Sequence, residues 1–505
     1  MIKRSPWRTA GLATVGLSVI IALAPATQSV AAPSTGAETA VSSTQDQELR
    51  PIAGRYIVTL AGATAPDGTF LASGSTSAIS ALIASAGGTV VNNLSRQIGV
   101  LTVQSASPLF AKVLSASPLV DSVGNDFAVR MYENPAPEPS ADPLEPQQWD
   151  MRQIRTEQAH ATTQAGLPSV DVGVLDSGID GRHPDFQKGG VSNVDCARGR
   201  NSLAALPPGV AIGTPDPCTD NQYHGTHVAG TIGARANGIG MVGVAPNVTL
   251  VPVKVCDTTG YCYASPVVDG ITYSGDMKFD VINMSFFVDD NEFQESTEFK
   301  CASDPIQRTF RHAVERAIQY ARSQGVTPVA ALGNSDQDLA HPVDASGQPI
   351  SNECEVVPAE TQGVIGTSSL GPASEKAFYS NYGVGMNDVS APGGSGSSGN
   401  CATTILSTFP GGGYICIQGT SMASPHAAGV AALIVSQFGR LGPDGDMKMP
   451  PQSVEALLQS TSVDIGLPGY DECFGHGRID ALRAVTGDTS QAYDPTAPSC
   501  PEYAE

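Results

Sequence analysis

Basic residues are scarce in this 505-residue chain: 27 Lys and Arg stand against 49 Asp and Glu, a formal net charge of −22. That balance argues against nucleic acid and anionic membrane as partners, because both attract basic surfaces. It supports solubility without pointing to a partner. Cysteine is absent from the first 195 residues, and all ten cysteines lie at or beyond Cys196. No C-x-x-C pair occurs, which removes the close pairs on which tetrahedral structural zinc sites usually build. Apolar runs of the roughly 20 residues that span a bilayer are missing as well.

The N-terminus carries a different pattern. Lys3, Arg4 and Arg8 precede an apolar run from Leu12 to Leu23, which gives way at Pro25 to small residues ending Val30-Ala31-Ala32. This predicts a secretory signal peptide over 1–32, cut after Ala32, and an exported protein. An even number of cysteines in an exported chain predicts disulfides. Neighbour spacing suggests Cys196 with Cys218, Cys256 with Cys262, Cys301 with Cys354, Cys401 with Cys416 and Cys473 with Cys500, although spacing leaves the connectivity open.

Residues 33–50, rich in Ser, Thr, Ala and Gln, are expected to form a disordered leader. Strands predicted over 55–60, 99–103 and 120–129, with helices over 78–86 and 109–115, indicate a small α+β domain within 51–130. The segment 131–148 intersperses five prolines with acidic residues; it is expected to be extended, accessible and a place for proteolytic processing. Beyond it, apolar strands at 170–175, 249–255, 281–284 and 327–331 alternate with helices at 224–234, 264–274 and 306–324. This alternation predicts an α/β fold, a three-layer α/β/α body over 149–486 with a mostly parallel central sheet. A polar tail, 487–505, follows.

Three strings carry chemistry: Asp176-Ser177-Gly178-Ile179-Asp180, His224-Gly225-Thr226-His227-Val228-Ala229-Gly230 and Gly419-Thr420-Ser421-Met422-Ala423-Ser424-Pro425-His426. A serine hydroxyl is a poor nucleophile at neutral pH; it needs a base, a group that orients the base, and donors for an oxyanion. Asp176 follows a buried-type strand, where open α/β sheets place their sites. Alone it would read as a turn cap. His227 raises zinc as an alternative, but it lies three residues from His224 with no glutamate between, unlike the i, i+4 zinc pattern. Ser421 precedes an apolar run, 427–435, predicted to be a helix whose N-terminus favours developing negative charge. The string is not the G-x-S-x-G elbow, because Ala423 takes the final glycine's place.

The three strings together resemble those of the subtilisin-like serine peptidases (subtilases), in that family's chain order Asp, His, Ser. The resemblance runs from the leader to about residue 486, with Phe474-Gly475-His476-Gly477-Arg478 similar to the family's closing segment; the disulfide-rich inserts resemble those of secreted actinobacterial members. It implies that Asp176 orients, His224 acts as general base and acid, Ser421 attacks, and Asn334 donates to the oxyanion. His227 and His426 are assigned structural roles. It further implies that 51–130 is an inhibitory, chaperone-like propeptide and that protein or peptide substrates add a strand along Ser285-Phe286-Phe287 and the loop after Val255. No cofactor is expected for catalysis, and a structural calcium site is implied at Asp185 and Asn237. Phe287 stands where subtilisin has glycine, and the acidic insert 288–304 suggests a preference for basic residues near the cut. A monomer is expected. Two other functions compete: a catalytically silent scaffold of the same fold, and an esterase or acyltransferase using the same triad.

Overall fold

The computed structural model describes residues 50–65, 69–130, 144–162, 165–286, 305–343, 348–349, 351, 354–442, 445 and 447–500. Expectations for the signal peptide, the leader up to residue 49, most of the proline-rich linker, Phe287, the acidic insert 288–304 and Cys301 lie outside the described residues.

The N-terminal unit contains β1 (Arg50–Leu60), α1 (Thr76–Ser85), β2 (Gly88–Leu94), β3 (Val100–Ser105), α2 (Phe110–Ser115) and β4 (Val120–Arg130). α1 starts at Ser75, whose side chain accepts from the Ala78 N–H, the usual way a serine satisfies an orphan donor of a first turn. Val58, Leu60, Ile79, Ile83, Phe110 and Leu114 fill the space between the helices and the sheet. β2 was not among the expected strands; its Gly-Thr-Val-Val-Asn-Asn-Leu sequence has too short an apolar alternation to stand out.

The larger body is built on β5 (Asp171–Asp176), β6 (Arg200–Asn201), α3 (His224–Gly233), β7 (Thr249–Lys254), β8 (Tyr261–Tyr263), α4 (Ala264–Asp276), β9 (Val281–Met284), α5 (Pro305–Ser323), β10 (Thr327–Ala331), β11 (Ile365–Leu370), β12 (Val389–Pro392), β13 (Ile405–Phe409), β14 (Gly413–Ile417) and α6 (Thr420–Phe438). Seven strands form one sheet in the order β6-β7-β5-β9-β10-β11-β12, and every neighbouring pair is parallel. β5 and β10 are buried at every residue, as strands covered on both faces must be. α6 is buried from Thr420 through Ser436 and packs on β9 to β12. A helix that is apolar all round belongs inside a domain.

β11 and β12 extend the sheet beyond the strands expected from sequence. Their Thr367, Ser368, Ser369 and Ser390 interrupt the apolar runs yet are fully buried. For the serines hydrogen bonding makes this tolerable: Ser368 and Ser390 hydroxyls pair at 2.6 Å, and the Ser369 hydroxyl pairs with Tyr379 Oη at 2.8 Å.

The two parts are continuous. β8 pairs antiparallel with β4, Tyr261 opposite Arg130 and Tyr263 opposite Ala128, so the N-terminal sheet reads β8-β4-β1-β3-β2. Ile57, Leu94, Ile98, Val100 and Phe127 share one apolar cluster with Val267, Phe310 and Val314 of α4 and α5. Disulfides join Cys196 to Cys218, Cys256 to Cys262, Cys401 to Cys416 and Cys473 to Cys500. Cys354 is also disulfide-bonded. No helix among the described residues is long and apolar enough to cross a membrane.

Candidate active site

β5 ends at Asp176, on the carboxyl edge of the sheet. The carboxylate is fully buried, and its two oxygens lie 3.1 and 3.0 Å from His224 Nδ1. The Ser177 N–H donates to Oδ1 at 2.8 Å, which fixes the carboxyl plane. His224 is the first residue of α3. A second carboxylate, Asp220, organises that helix start: it accepts from the N–H groups of Gln222, Tyr223 and Thr226 and from the hydroxyls of Ser177 and Thr226. Tyr223 takes φ of 126°, a conformation costing a side chain about 1–3 kcal/mol. The Asp220 bond to its N–H and its ring stacking on Phe409, centroids 5.6 Å apart, hold it there. Burial works against charge on His224, but Asp176 next to it and Asp220 behind outweigh that, so the imidazole pKa lies above its ordinary value.

Ser421 lies inside the first turn of α6, which begins at Thr420 and not at the apolar run expected from sequence. The helix passes through Pro425. Proline has no N–H, so the carbonyl four residues earlier loses its helical partner. That carbonyl belongs to Ser421, and Ser285 Oγ donates to it at 2.8 Å. In return the Ser421 hydroxyl donates to the Ser285 carbonyl at 3.1 Å. Asn283 Nδ2 donates to Ser285 Oγ at 2.8 Å, and Ser424 Oγ donates to Asn283 Oδ1 at 2.7 Å. The Ser421 backbone is thereby tied to β9. α3 packs directly on α6, which brings the helix opened by His224 against the helix carrying Ser421.

Asn334 follows β10. Its Oδ1 accepts from the Thr420 N–H at 2.9 Å and the Thr420 hydroxyl at 2.8 Å, so its amide NH2 is left for another acceptor. Gly419 has φ of 153°, and a Cβ built on it would lie 3.6 Å from both Asn334 Nδ2 and Ser421 N. Asn334 Oδ1 is the next atom, at 3.8 Å, so the missing side chain leaves room beside the Asn334 amide and the Ser421 nitrogen. The Ser421 N–H is in the first turn, where no carbonyl of the helix can reach it. Such an arrangement can stabilise an oxyanion forming next to Ser421 Oγ.

The remaining candidates lie apart from this chemistry. His227 Nε2 pairs with the Ile405 carbonyl at 3.1 Å. Burial, aided by repulsion from His224, holds its pKa at about 3, so it is neutral. His426 bridges the Met422 carbonyl and Asp150 Oδ2, at 2.8 and 3.0 Å. Asp185 and Asn237 are neighbours, but their contacts do not form a cage of converging oxygens. Asn237 turns its NH2 on the Pro184 and Gln187 carbonyls, Asp185 Oδ2 accepts from the Met241 N–H, and the Lys188 ammonium lies 2.6 Å from the Ala236 carbonyl. These residues do not fit a calcium ion in this arrangement. Among the described residues, the metal-type cluster Glu472, Cys473 and Cys500 contains a disulfide.

Three contributors were not singled out in the sequence. Asp220 carried a signal, an acidic residue just ahead of a helix start. Ser285, expected only as part of a substrate edge, and Thr420, seen only as part of the Ser421 string, carried no signal of these bonds, which join a strand and a helix far apart in the chain.

The subtilase family model matches residues 168–477. Subtilisin NAT of Bacillus subtilis subsp. natto is 33% identical over 375 residues, 74% of this chain and 77% of that protein. Subtilisin of Bacillus pumilus is 34% identical over 338 residues, 67% of this chain and 98% of that protein. The crystal structure of the epidermin leader peptide processing serine protease of Staphylococcus aureus superposes with a TM-score of 0.64 at 20% identity, covering 88% of this chain and all of that one; at that identity it speaks for the fold alone. By sequence and by fold, this chain belongs to the subtilase family and is a subtilisin-type serine endopeptidase.

Proposed function

We propose that Asp176, His224 and Ser421 form the catalytic triad of a peptidase made as a self-processing precursor, with Asn334 and the Ser421 N–H as oxyanion donors. The observation that carries this reading is the open point beside Gly419, equidistant from Asn334 Nδ2 and Ser421 N. Attack begins as the Ser421 hydroxyl swings off the Ser285 carbonyl and passes its proton to His224 Nε2, while Asp176 holds Nδ1. Oγ bonds to the scissile carbonyl carbon, and the carbonyl electron pair moves onto oxygen, facing the two donors. Collapse breaks the C–N bond, His224 protonates the leaving amine, and water cleaves the acyl-enzyme by the same route. No cofactor enters these steps.

Residues 51–130 act as the intramolecular inhibitor. Ala128–Arg130 adds an antiparallel strand to Tyr261–Tyr263, in the loop after Val255 where a substrate strand would pair. Processing within 131–148 would release the unit. The acidic side chains of 289–304 favour basic residues near the cut, which a peptide library scanned for charge would reveal. Export is supported by the signal-type N-terminus and the disulfides.

The test compares the intact mass of the unaltered chain with that of Ser421→Ala, alongside digestion of a generic protein. Loss of the N-terminal unit and digestion only by the unaltered chain are expected. Equal masses with no digestion by either would leave a silent scaffold, and ester cleavage without peptide cleavage would favour an esterase.

A further inference from the structure

Asn381 lies in the segment after β11, far in sequence from Asn334, and is fully buried. Its Oδ1 accepts from the Ser335 N–H at 3.0 Å and the Gln337 N–H at 3.1 Å. Its Nδ2 donates to the Leu332 carbonyl at 3.2 Å, and its backbone N–H donates to the Gly333 carbonyl at 3.0 Å. One side chain and its own peptide therefore grip residues 332, 333, 335 and 337, bracketing Asn334 on both sides. Gly333 has φ of 115°, and a Cβ there would lie 2.2 Å from Asn381 Nδ2, so the loop approaches Asn381 as closely as only glycine allows.

We infer that Asn381 is a positioning residue for the oxyanion donor, setting the backbone from which Asn334 projects; this rests on the role proposed above for Asn334. Asn334 is then held at both ends. Thr420 binds its side-chain oxygen, and Asn381 fixes its main chain. Of the amide's groups, only the NH2 is left to follow the charge. A preorganised donor of this kind acts without reorganising during the reaction, and small displacements of it are expensive. Any other buried side chain of similar size would fill the space, but an amide is needed to accept from two N–H groups and donate to a carbonyl at once.

The test measures kcat and KM on a chromogenic peptide, normalised by active-site titration, for Asn381→Ala and Asn381→Ser in the parent and in the Asn334→Ala background. In the parent, Asn381→Ala is expected to lower kcat about tenfold with KM changed less than about twofold. Asn381→Ser, which retains an acceptor, should lose less. With Asn334→Ala already present, either change should move kcat less than about twofold, since the group being positioned is gone. A peptide aldehyde, which binds as a tetrahedral adduct, should weaken more than a peptide product. Equal losses in both backgrounds, or a loss confined to KM, would overturn the inference. If Asn334→Ala itself leaves kcat unchanged, the reading of Asn334 fails instead; if it lowers kcat while both Asn381 variants do not, only the inference fails. Should Asn381→Ala yield no folded protein, Asn381→Ser decides by the same criteria.

Discussion

Across residues 50–130 no cysteine braces the chain, and the unit is joined to the body by one strand pairing, two shared apolar clusters and a few polar clamps. The body carries four described disulfides and a seven-stranded parallel sheet buried on both faces. The clamps are specific. Arg55 is buried and pairs with Asp126 at 2.8 Å. Asp126 in turn receives the Ser265 N–H at 2.9 Å and the Ser265 hydroxyl, completing the start of α4, whose own N-cap residue, Tyr263, makes no capping bond. Arg316 of α5 reaches Asp121 at 3.1 Å, and Phe127 meets Phe310 edge-on with centroids 5.0 Å apart. The body thus has a helix that the N-terminal unit finishes. One part is stapled covalently, and the other is held only by non-covalent contacts.

The comparison can be broken most sharply within the body. Asp176→Asn should lower kcat about 10⁴-fold, because an amide, unlike a carboxylate, can present its NH2 to Nδ1 and hold the imidazole in the wrong tautomer. Intact mass should then show the precursor uncut for far longer than the parent, while Tm changes little. At the junction, Asp126→Ala in the uncleavable Ser421→Ala chain should cost about 3 kcal/mol, since Arg55 would be left buried without its partner. A lower Tm and faster amide exchange at the start of α4 would register it; unchanged exchange there would mean that Asp126 does not hold the helix.

Smaller effects sharpen the same contrast. Replacing Cys256 and Cys262 together by serine should raise KM for peptides a few-fold and leave kcat nearly unaltered, because the disulfide braces β8, where strands add. Its six-residue span closes a short loop, so the stability change should be modest. A pH profile of kcat/KM should show activity lost as pH falls through the His224 pKa, since the protonated imidazole cannot accept from Ser421. With that pKa raised, the acid limb should be centred above the ordinary imidazole value. Asp220→Asn should move it to lower pH by a fraction of a unit; no movement would show that the second carboxylate is screened.

Much of this was legible along the chain. The Asp176, His224 and Ser421 strings sit within continuous local patterns, and the parallel strands 281–284 and 327–331 appear with the bounds their apolar runs imply. β11 and β12 were hidden because serines and a threonine stand at buried positions, and periodicity reads such residues as exposed. α6 starts seven residues before its apolar run because Ser285 replaces the hydrogen bond that Pro425 removes. The grip of Asn381 on residues 332–337 was equally invisible, being made between segments more than forty residues apart.

The order of the chemical groups and the alternation of strand and helix were determined by the sequence alone, because each depends on neighbours a few residues away. Only the tertiary structure decided how the groups are aimed. The site's donors are set by hydrogen bonds between distant backbone and side-chain groups, such as Asn334 to Thr420 and Ser285 to Ser421. Such bonds are chosen by which buried polar atoms must find a partner once the sheet has closed.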